Sequence, residues 1–205
     1  MAREQQYQGF ILKKQQLFEA DELVTFYTQE VGKIRGIAKS SKRSQSKLQY
    51  QLQPMFLTSV VLSGKGNLLQ IIRAGATQVF ANIHSSQLKT KFWYIIAELI
   101  LKATPDEQPN ELLFESMNNY LDFLETADEQ EAILQLGLTK FKTNFCEAVG
   151  FGILAPKAEQ NDIVFFSNSL GGFCINEKPF DGLSINQEAY QLFLKLRDCL
   201  YSDLG

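Results

Sequence analysis

The spacing of apolar and polar positions changes once along the chain, near residue 76. Before that point the runs are short and β-branched or aromatic, with a period of two. Residues 7–14 form an apolar, aromatic run that gives way to the polar stretch 15–22. Residues 23–28 suit a pleated surface, and Gly32 breaks them. In residues 33–39 alternation sets Ile34 and Ala38 against Lys33 and Arg35, which predicts one buried face and one charged face. Residues 40–47 hold no apolar side chain and read as an exposed loop. Residues 54–63 and 67–74 flank Gly64-Lys65-Gly66, a turn of hairpin length. Five short strands with such turns fit a five-stranded OB-fold β-barrel.

After Ala76 the period becomes 3.6. Leu88, Phe92, Ile95, Ile96 and Leu99 form one stripe of an amphipathic helix that Thr104-Pro105 ends. Pro109 suits the first turn of a second helix, with the stripe Leu113, Met117, Tyr120, Leu121 and Leu124. A third runs over 128–149, with Leu134, Leu138, Phe141 and Phe145 in line. A last helix starts at Ser184, where Ser184 and Gln187 form a capping box; its stripe is Ile185, Ala189, Leu192, Phe193, Leu196 and Leu200. Residues 150–181, rich in Gly, Phe and Asn, show no period. The expectation is an α+β chain without internal repeats: a barrel over 1–76 and an α-helical domain over 77–205, interrupted by an irregular segment at 150–181.

Length and composition leave this picture standing. The 205 residues, 45% apolar and 21% charged, suffice for one large domain or two small ones and exclude collagen-like, coiled-coil and disordered classes. The three cysteines, Cys146, Cys174 and Cys199, are too widely spaced to read as a disulfide framework or a zinc site. The beginning of the sequence has no apolar signal core and no run approaches a membrane span, so a soluble cytoplasmic protein is expected.

Charge changes the picture more. The net charge of -3 argues against nucleic acid only as an average. Residues 1–73 carry 11 basic and 5 acidic side chains, net +6; residues 74–205 carry 9 and 18, net -9. No acidic residue occurs from Val31 to Ala97, where ten basic ones do. Lys33, Arg35, Lys39, Lys42, Arg43 and Lys47 are the dense part, each a candidate phosphate partner. Phe26, Tyr27, Tyr50 and Phe56 lie close by; Tyr27 and Tyr50 are the better stacking candidates, because a hydroxyl tolerates a wet surface.

Catalytic chemistry has little to work with. His84 is the one histidine, without an acid within ten residues, and reads as a residue at the start of a helix. No nucleophile elbow, zinc-protease, dinucleotide or phosphate-loop motif occurs. Acidic pairs such as Asp21-Glu22, Asp106-Glu107 and Asp128-Glu129 fall at turns or helix starts, where they suit the helix dipole.

The N-terminal third resembles the bacterial DNA repair protein RecO family. The likeness rests on Ile11-Leu12-Lys13, Glu19-Ala20-Asp21, Leu23-Val24-Thr25, Thr28, Gly32-Lys33-Ile34, Ala38-Lys39 with Lys42-Arg43, and Leu52-Gln53-Pro54, in order and nearly without gaps. Further on it is weaker: Asn110-Glu111-Leu112-Leu113-Phe114, then Gly150-Phe151 and Pro156. The resemblance implies an OB domain, a helical domain and, in many members, a four-cysteine zinc ribbon. Gly171-Gly172-x-Cys174 resembles the later part of that ribbon but lacks the paired cysteines, so the segment is expected to be a degenerate, metal-free ribbon.

The resemblance further implies a recombination mediator of the RecFOR pathway without catalytic residues or cofactor. Such a protein binds single- and double-stranded DNA, anneals complementary strands, binds RecR and the acidic C-terminal tail of single-strand binding protein, and helps RecA load onto coated DNA. It would be cytoplasmic and nucleoid-associated. The DNA-face residues carried over are Lys33, Arg35, Lys39, Lys42 and Arg43. Lys140 and Lys142 are weak candidates for the rim of the tail-binding groove. The alternative is a protein–protein adaptor whose barrel no longer binds DNA.

Overall fold

A computed structural model describes residues 4–43, 45–64, 69–159 and 161–204. The chain forms two compact units that divide in sequence between Glu129 and Gln130. The change from strand to helix expected at 76/77 therefore falls inside the first unit, after β5.

The first unit opens with a closed barrel of five strands: β1 (Glu4–Gln16), β2 (Glu22–Thr28), β3 (Gly32–Ala38), β4 (Leu57–Ser63) and β5 (Leu69–Gln78), in the order β1-β2-β3-β5-β4. All pairings are antiparallel except β3 with β5, the five-stranded closure expected of an OB barrel. β1 serves two neighbours: Glu4–Phe10 pair with β4, and Gly9–Gln16 pair with β2. The register shifts between Ile11 and Lys13, a bulge that bends the strand as it passes from one neighbour to the other. The expected turn at Gly64-Lys65-Gly66 lies partly outside the described residues, but its flanks pair as a hairpin.

Inward positions of every strand meet in one core: Ile11, Val24, Phe26, Ile34, Ala38, Val60, Leu62 and Ile71. The short helix α1 (Lys47–Gln51) adds Leu48 against it, and Leu52 follows, fully buried.

Helices α2 (Ala81–Ser85), α3 (Gln87–Ala103) and α4 (Glu111–Thr126) complete this unit. Ser86 caps α3 by accepting from the Lys89 N–H, and Asn110 caps α4 by accepting from the Leu113 N–H. Pro109 thus sits just before the cap rather than in the first turn. The expected α4 stripe is buried in full. On α3 the buried face is rotated from the expected one to Phe92, Trp93, Ile96, Ala97 and Ile100. It packs on the outside of the barrel, where the Phe10 ring lies 6.4 Å from Trp93 and 5.3 Å from Phe114.

The second unit holds α5 (Glu131–Ala148), a small sheet of β6 (Val164–Ser167), β7 (Gly172–Ile175) and β8 (Leu183–Ile185) in the order β7-β6-β8, then α6 (Gln187–Asp198) and a 3-10 turn at Tyr201–Leu204. The expected α5 stripe is buried. The segment expected to be irregular instead carries two of these strands. Its interior is aromatic: the Phe173 ring lies 5.2 Å from Phe166, 4.8 Å from Tyr190 and 4.9 Å from Phe193. Asp181 ties the hairpin to the turn before β8, accepting from Ser167 Oγ at 2.6 Å and the Ser169 N–H at 2.9 Å. Those bonds hold its carboxyl down at about 2, the Ser167 bond foremost.

The capping box expected at Ser184 does not form. Ser184 is in β8, Asn186 caps α6 through the Ala189 N–H, and Gln187 donates instead to the Glu159 and Asp162 carbonyls. The buried face of α6 is Tyr190 and Leu196, while Leu192 and the following Leu200 are exposed.

Candidate nucleic-acid interface

Strand alternation puts Lys33, Arg35 and Ile37 on the outer face of β3 and Ile34, Gly36 and Ala38 on the inner face. Registered neighbours build rows across the sheet: Tyr27 beside Lys33, Lys13–Thr25–Arg35, and Leu23 beside Ile37. The first row is covered; in the second Thr25 is buried while Lys13 and Arg35 at its ends are exposed.

Two expected site residues fall in that covered row and leave the interface. Lys33 is 6% exposed. Its Nζ donates to the Leu101 carbonyl at 2.9 Å and the Thr104 carbonyl at 2.5 Å, and lies 3.3 Å from Asp106 Oδ1. It satisfies carbonyls that the end of α3 leaves unpaired, a structural task that occupies its donors. Tyr27 is buried, and burial pushes its hydroxyl up to about 12 against a hydrogen bond with the Asn110 backbone. Its ring has no exposed face to offer for stacking. Arg35, in the next row, stays half exposed and pairs with Asp106 at 3.0 Å.

Lys39, Lys42 and Arg43 are all exposed on the loop after β3. That loop is fastened to the β1–β2 turn. The Ser40 N–H donates to Asp21 Oδ1 at 2.8 Å, Ser41 Oγ to Glu22 Oε2 at 2.7 Å, the Lys42 N–H to the Ala20 carbonyl at 3.2 Å, and Lys42 Nζ to Gln16 Oε1 at 2.7 Å. The acids nearest the basic loop are thereby used on its backbone and hydroxyl groups. Among the described residues Lys39, Arg43 and Lys47 have no ion-pair partner. Lys47 and Tyr50 stand three apart on one side of α1, both exposed, Tyr50 at 70%. They lie on a different element from Arg35.

Sequence reasoning missed Phe18. It sits in the β1–β2 turn, 68% exposed, two residues from the Ala20 carbonyl that holds Lys42. The turn closes by the Leu17 N–H donating to the Asp21 carbonyl at 3.0 Å. The adjacent pair Leu17-Phe18, set between polar residues, was the available signal. Lys13, exposed in the same row as Arg35, was also missed, because the bulge breaks the alternation that would have assigned it a face.

Elsewhere, Lys140 of the second unit is buried and donates to the Arg197 carbonyl at 2.6 Å, so it rims no groove; Lys142 is exposed. His84 is exposed in α2, its ring edge-on to Phe56 at 5.1 Å. Among the described residues no three His, Cys, Asp or Glu side chains come together as metal ligands, and no helix is long and apolar enough to cross a membrane.

Comparison with known proteins bears on both units. A family model described as Recombination protein O N terminal matches residues 1–80, and one described as Recombination protein O C terminal matches residues 89–205. The DNA repair protein RecO of Alkaliphilus metalliredigens is 27% identical over 184 residues, which span 87% of this chain and 74% of the relative. That of a Thermoanaerobacter species is 25% identical over 200 residues, 92% and 79% of the two chains. That of a Nostoc species is 34% identical over 125 residues, 60% and 42%.

Proposed function

This chain belongs to the RecO family of DNA repair proteins, and on that premise we propose that it is a non-catalytic recombination mediator whose barrel binds single- and double-stranded DNA. The observation that carries this reading is the loop with Lys39, Lys42 and Arg43. It is pinned at its backbone to the β1–β2 turn while its cations remain turned to solvent, two of them unpaired. Pinned cations meet phosphates without first losing the loop's conformational freedom, so less of the interaction is spent on ordering. Arg35, Lys47, Tyr50 and Phe18 extend the surface. Lys33 and Tyr27 do not.

Annealing follows from the same charge. Two strands repel through their phosphates, and a cationic surface that screens both lowers the barrier to their meeting. Watson–Crick pairing then supplies the sequence specificity, so the protein needs none. RecR, the acidic tail of single-strand binding protein and, through loading, RecA are the partners this role requires; the site of action is the nucleoid in the cytoplasm. The DNA-binding part is the barrel over 1–76.

The test is titration of labelled oligonucleotides from low to high salt. Affinity falls steeply as salt rises, and Lys39→Glu combined with Arg43→Glu removes most of it. Undetectable or salt-independent binding overturns the reading in favour of a protein–protein adaptor, which pull-down of RecR and single-strand binding protein would then identify.

A further inference from the structure

A groove of about 510 Å³ opens between the barrel and α3 on the first unit. α3 lines it with Tyr94, Ala97, Glu98 and Leu101, positions i, i+3, i+4 and i+7 and therefore one helical face. β1 lines it with Leu12, Lys13 and Lys14, three consecutive residues that a regular strand would send to opposite sides. They reach it together because the bulge between Ile11 and Lys13 lies there. Pro54 completes the wall.

We infer that this groove takes one unpaired nucleobase of single-stranded DNA, with Tyr94 as the stacking surface and Lys13 as the phosphate partner. Tyr94 is a large aromatic left 49% exposed on a helix whose opposite face is buried in the unit. The apolar floor, Leu12, Ala97 and Leu101, accepts a flat ring, and the volume exceeds that of a base. Charge selects the occupant. Lys13 is exposed in the Lys13–Thr25–Arg35 row, which runs from this groove onto the proposed DNA surface. Lys14 is held by Glu22 at 3.4 Å, while Lys13, which feels the charge of Glu98 across the groove, is in no close ion pair among the described residues and is the rim cation open to a phosphate. Glu98, held by Lys102 at 2.6 Å, supplies a carboxylate that accepts from a base amino group. Bases within a duplex are stacked and paired and do not enter, so the groove distinguishes single strands from double.

The inference rests on the barrel binding DNA, and its test separates the two. The full chain is photocrosslinked to a single-stranded oligonucleotide carrying 5-iodouracil, and affinities are measured for single strand and duplex. The crosslink maps to the peptide containing Tyr94. Tyr94→Ala lowers single-strand affinity roughly tenfold and leaves duplex affinity within about twofold, as loss of one stacked base requires. Tyr94→Phe restores it. Lys13→Gln lowers the salt dependence of single-strand binding by about one phosphate contact. Crosslinks confined to other peptides, or an equal effect of Tyr94→Ala on both substrates, overturn the groove while salt-dependent binding lost in the Lys39→Glu, Arg43→Glu variant leaves the DNA surface standing. Absence of DNA binding by the unaltered chain overturns both. Far-UV circular dichroism identifies any variant that fails to fold, and the crosslink on the unaltered chain then decides.

Discussion

Arg35 Nη2 lies 3.0 Å from Asp106 Oδ2, and the other oxygen of the same carboxylate lies 3.3 Å from Lys33 Nζ. One acid just after α3 therefore neutralises a buried cation and occupies an exposed one on the surface proposed to meet DNA. The Lys33 contact is shielded; the Arg35 contact is open to water and competes with any phosphate that approaches.

Asp106→Asn is expected to act in two directions. It releases Arg35, raising DNA affinity about three-fold at low salt, where unscreened charge matters most. It also leaves the Lys33 ammonium less compensated, costing about 1 kcal/mol of stability, a figure reduced because Asp106 is half exposed. Oligonucleotide titration and thermal unfolding on the same preparation check both effects.

Lys33→Ala and Lys39→Ala should behave as opposites. Removing Lys33 strips the Leu101 and Thr104 carbonyls of a charged donor and is expected to cost about 2–3 kcal/mol with DNA affinity unchanged in the folded fraction. Removing Lys39 is expected to leave stability within about 0.5 kcal/mol and to weaken DNA binding across all sequences alike. Equal effects of the two variants on DNA binding would show that Lys33 is available after all.

Gly32→Ala is expected to cost on the order of 3 kcal/mol. Gly32 has φ +73°, which disfavours a side chain, and an added Cβ would stand 2.1 Å from the Gln108 carbonyl oxygen. The turn from β2 to β3 would have to move off the segment before α4. Denaturant unfolding measures the loss.

Acid should loosen the sheet of the second unit through Asp181. Its folded value, about 2, lies below the ordinary carboxyl value of about 4. The sign is that of a depressed acid: the stabilisation is present in full above about pH 4 and is lost as pH falls toward 2. Amide exchange in β6 and β8 is expected to rise over that interval. Asp181→Asn should show faster exchange at neutral pH and no further rise of this kind on acidification.

Much of the barrel was legible because its strands keep one face inward. The alternation that set Ile34 and Ala38 against Lys33 and Arg35 is the alternation observed. What it could not express is that helices cover part of the outer face. Tyr27 and Lys33 obey the period of two and are still buried, since period reports which side of a sheet a residue is on and not what lies against that side. The cations of the basic loop are exposed as read, but the loop is not exposed throughout: Ser41 is fully buried against Glu22, and Lys47 already belongs to α1. The β6–β7 hairpin escaped because four-residue strands are too short to show a period, and Phe165-Phe166 supplied two apolar residues in succession. At α6 the Ser184–Gln187 spacing satisfied a capping rule that Asn186 satisfies better, since its side chain reaches the Ala189 N–H directly.

The barrel closes where β3 meets β5, by parallel pairing at Gly36 with Leu69 and Ile37 with Gln70 among the described residues. Every other junction joins strands in longer antiparallel ladders. This makes the junction a seam in time as well as in space. Its two sides come together across more than thirty residues of chain, as those of the β1–β4 junction do across more than forty, after the hairpins on either side can already have formed from neighbouring segments; of the two it is the one with the shorter described ladder. Amides along it should be among the first of the barrel to exchange with solvent. The barrel behaves as a clasped sheet, and the clasp sits on β3, the strand on which the Lys13–Thr25–Arg35 row ends.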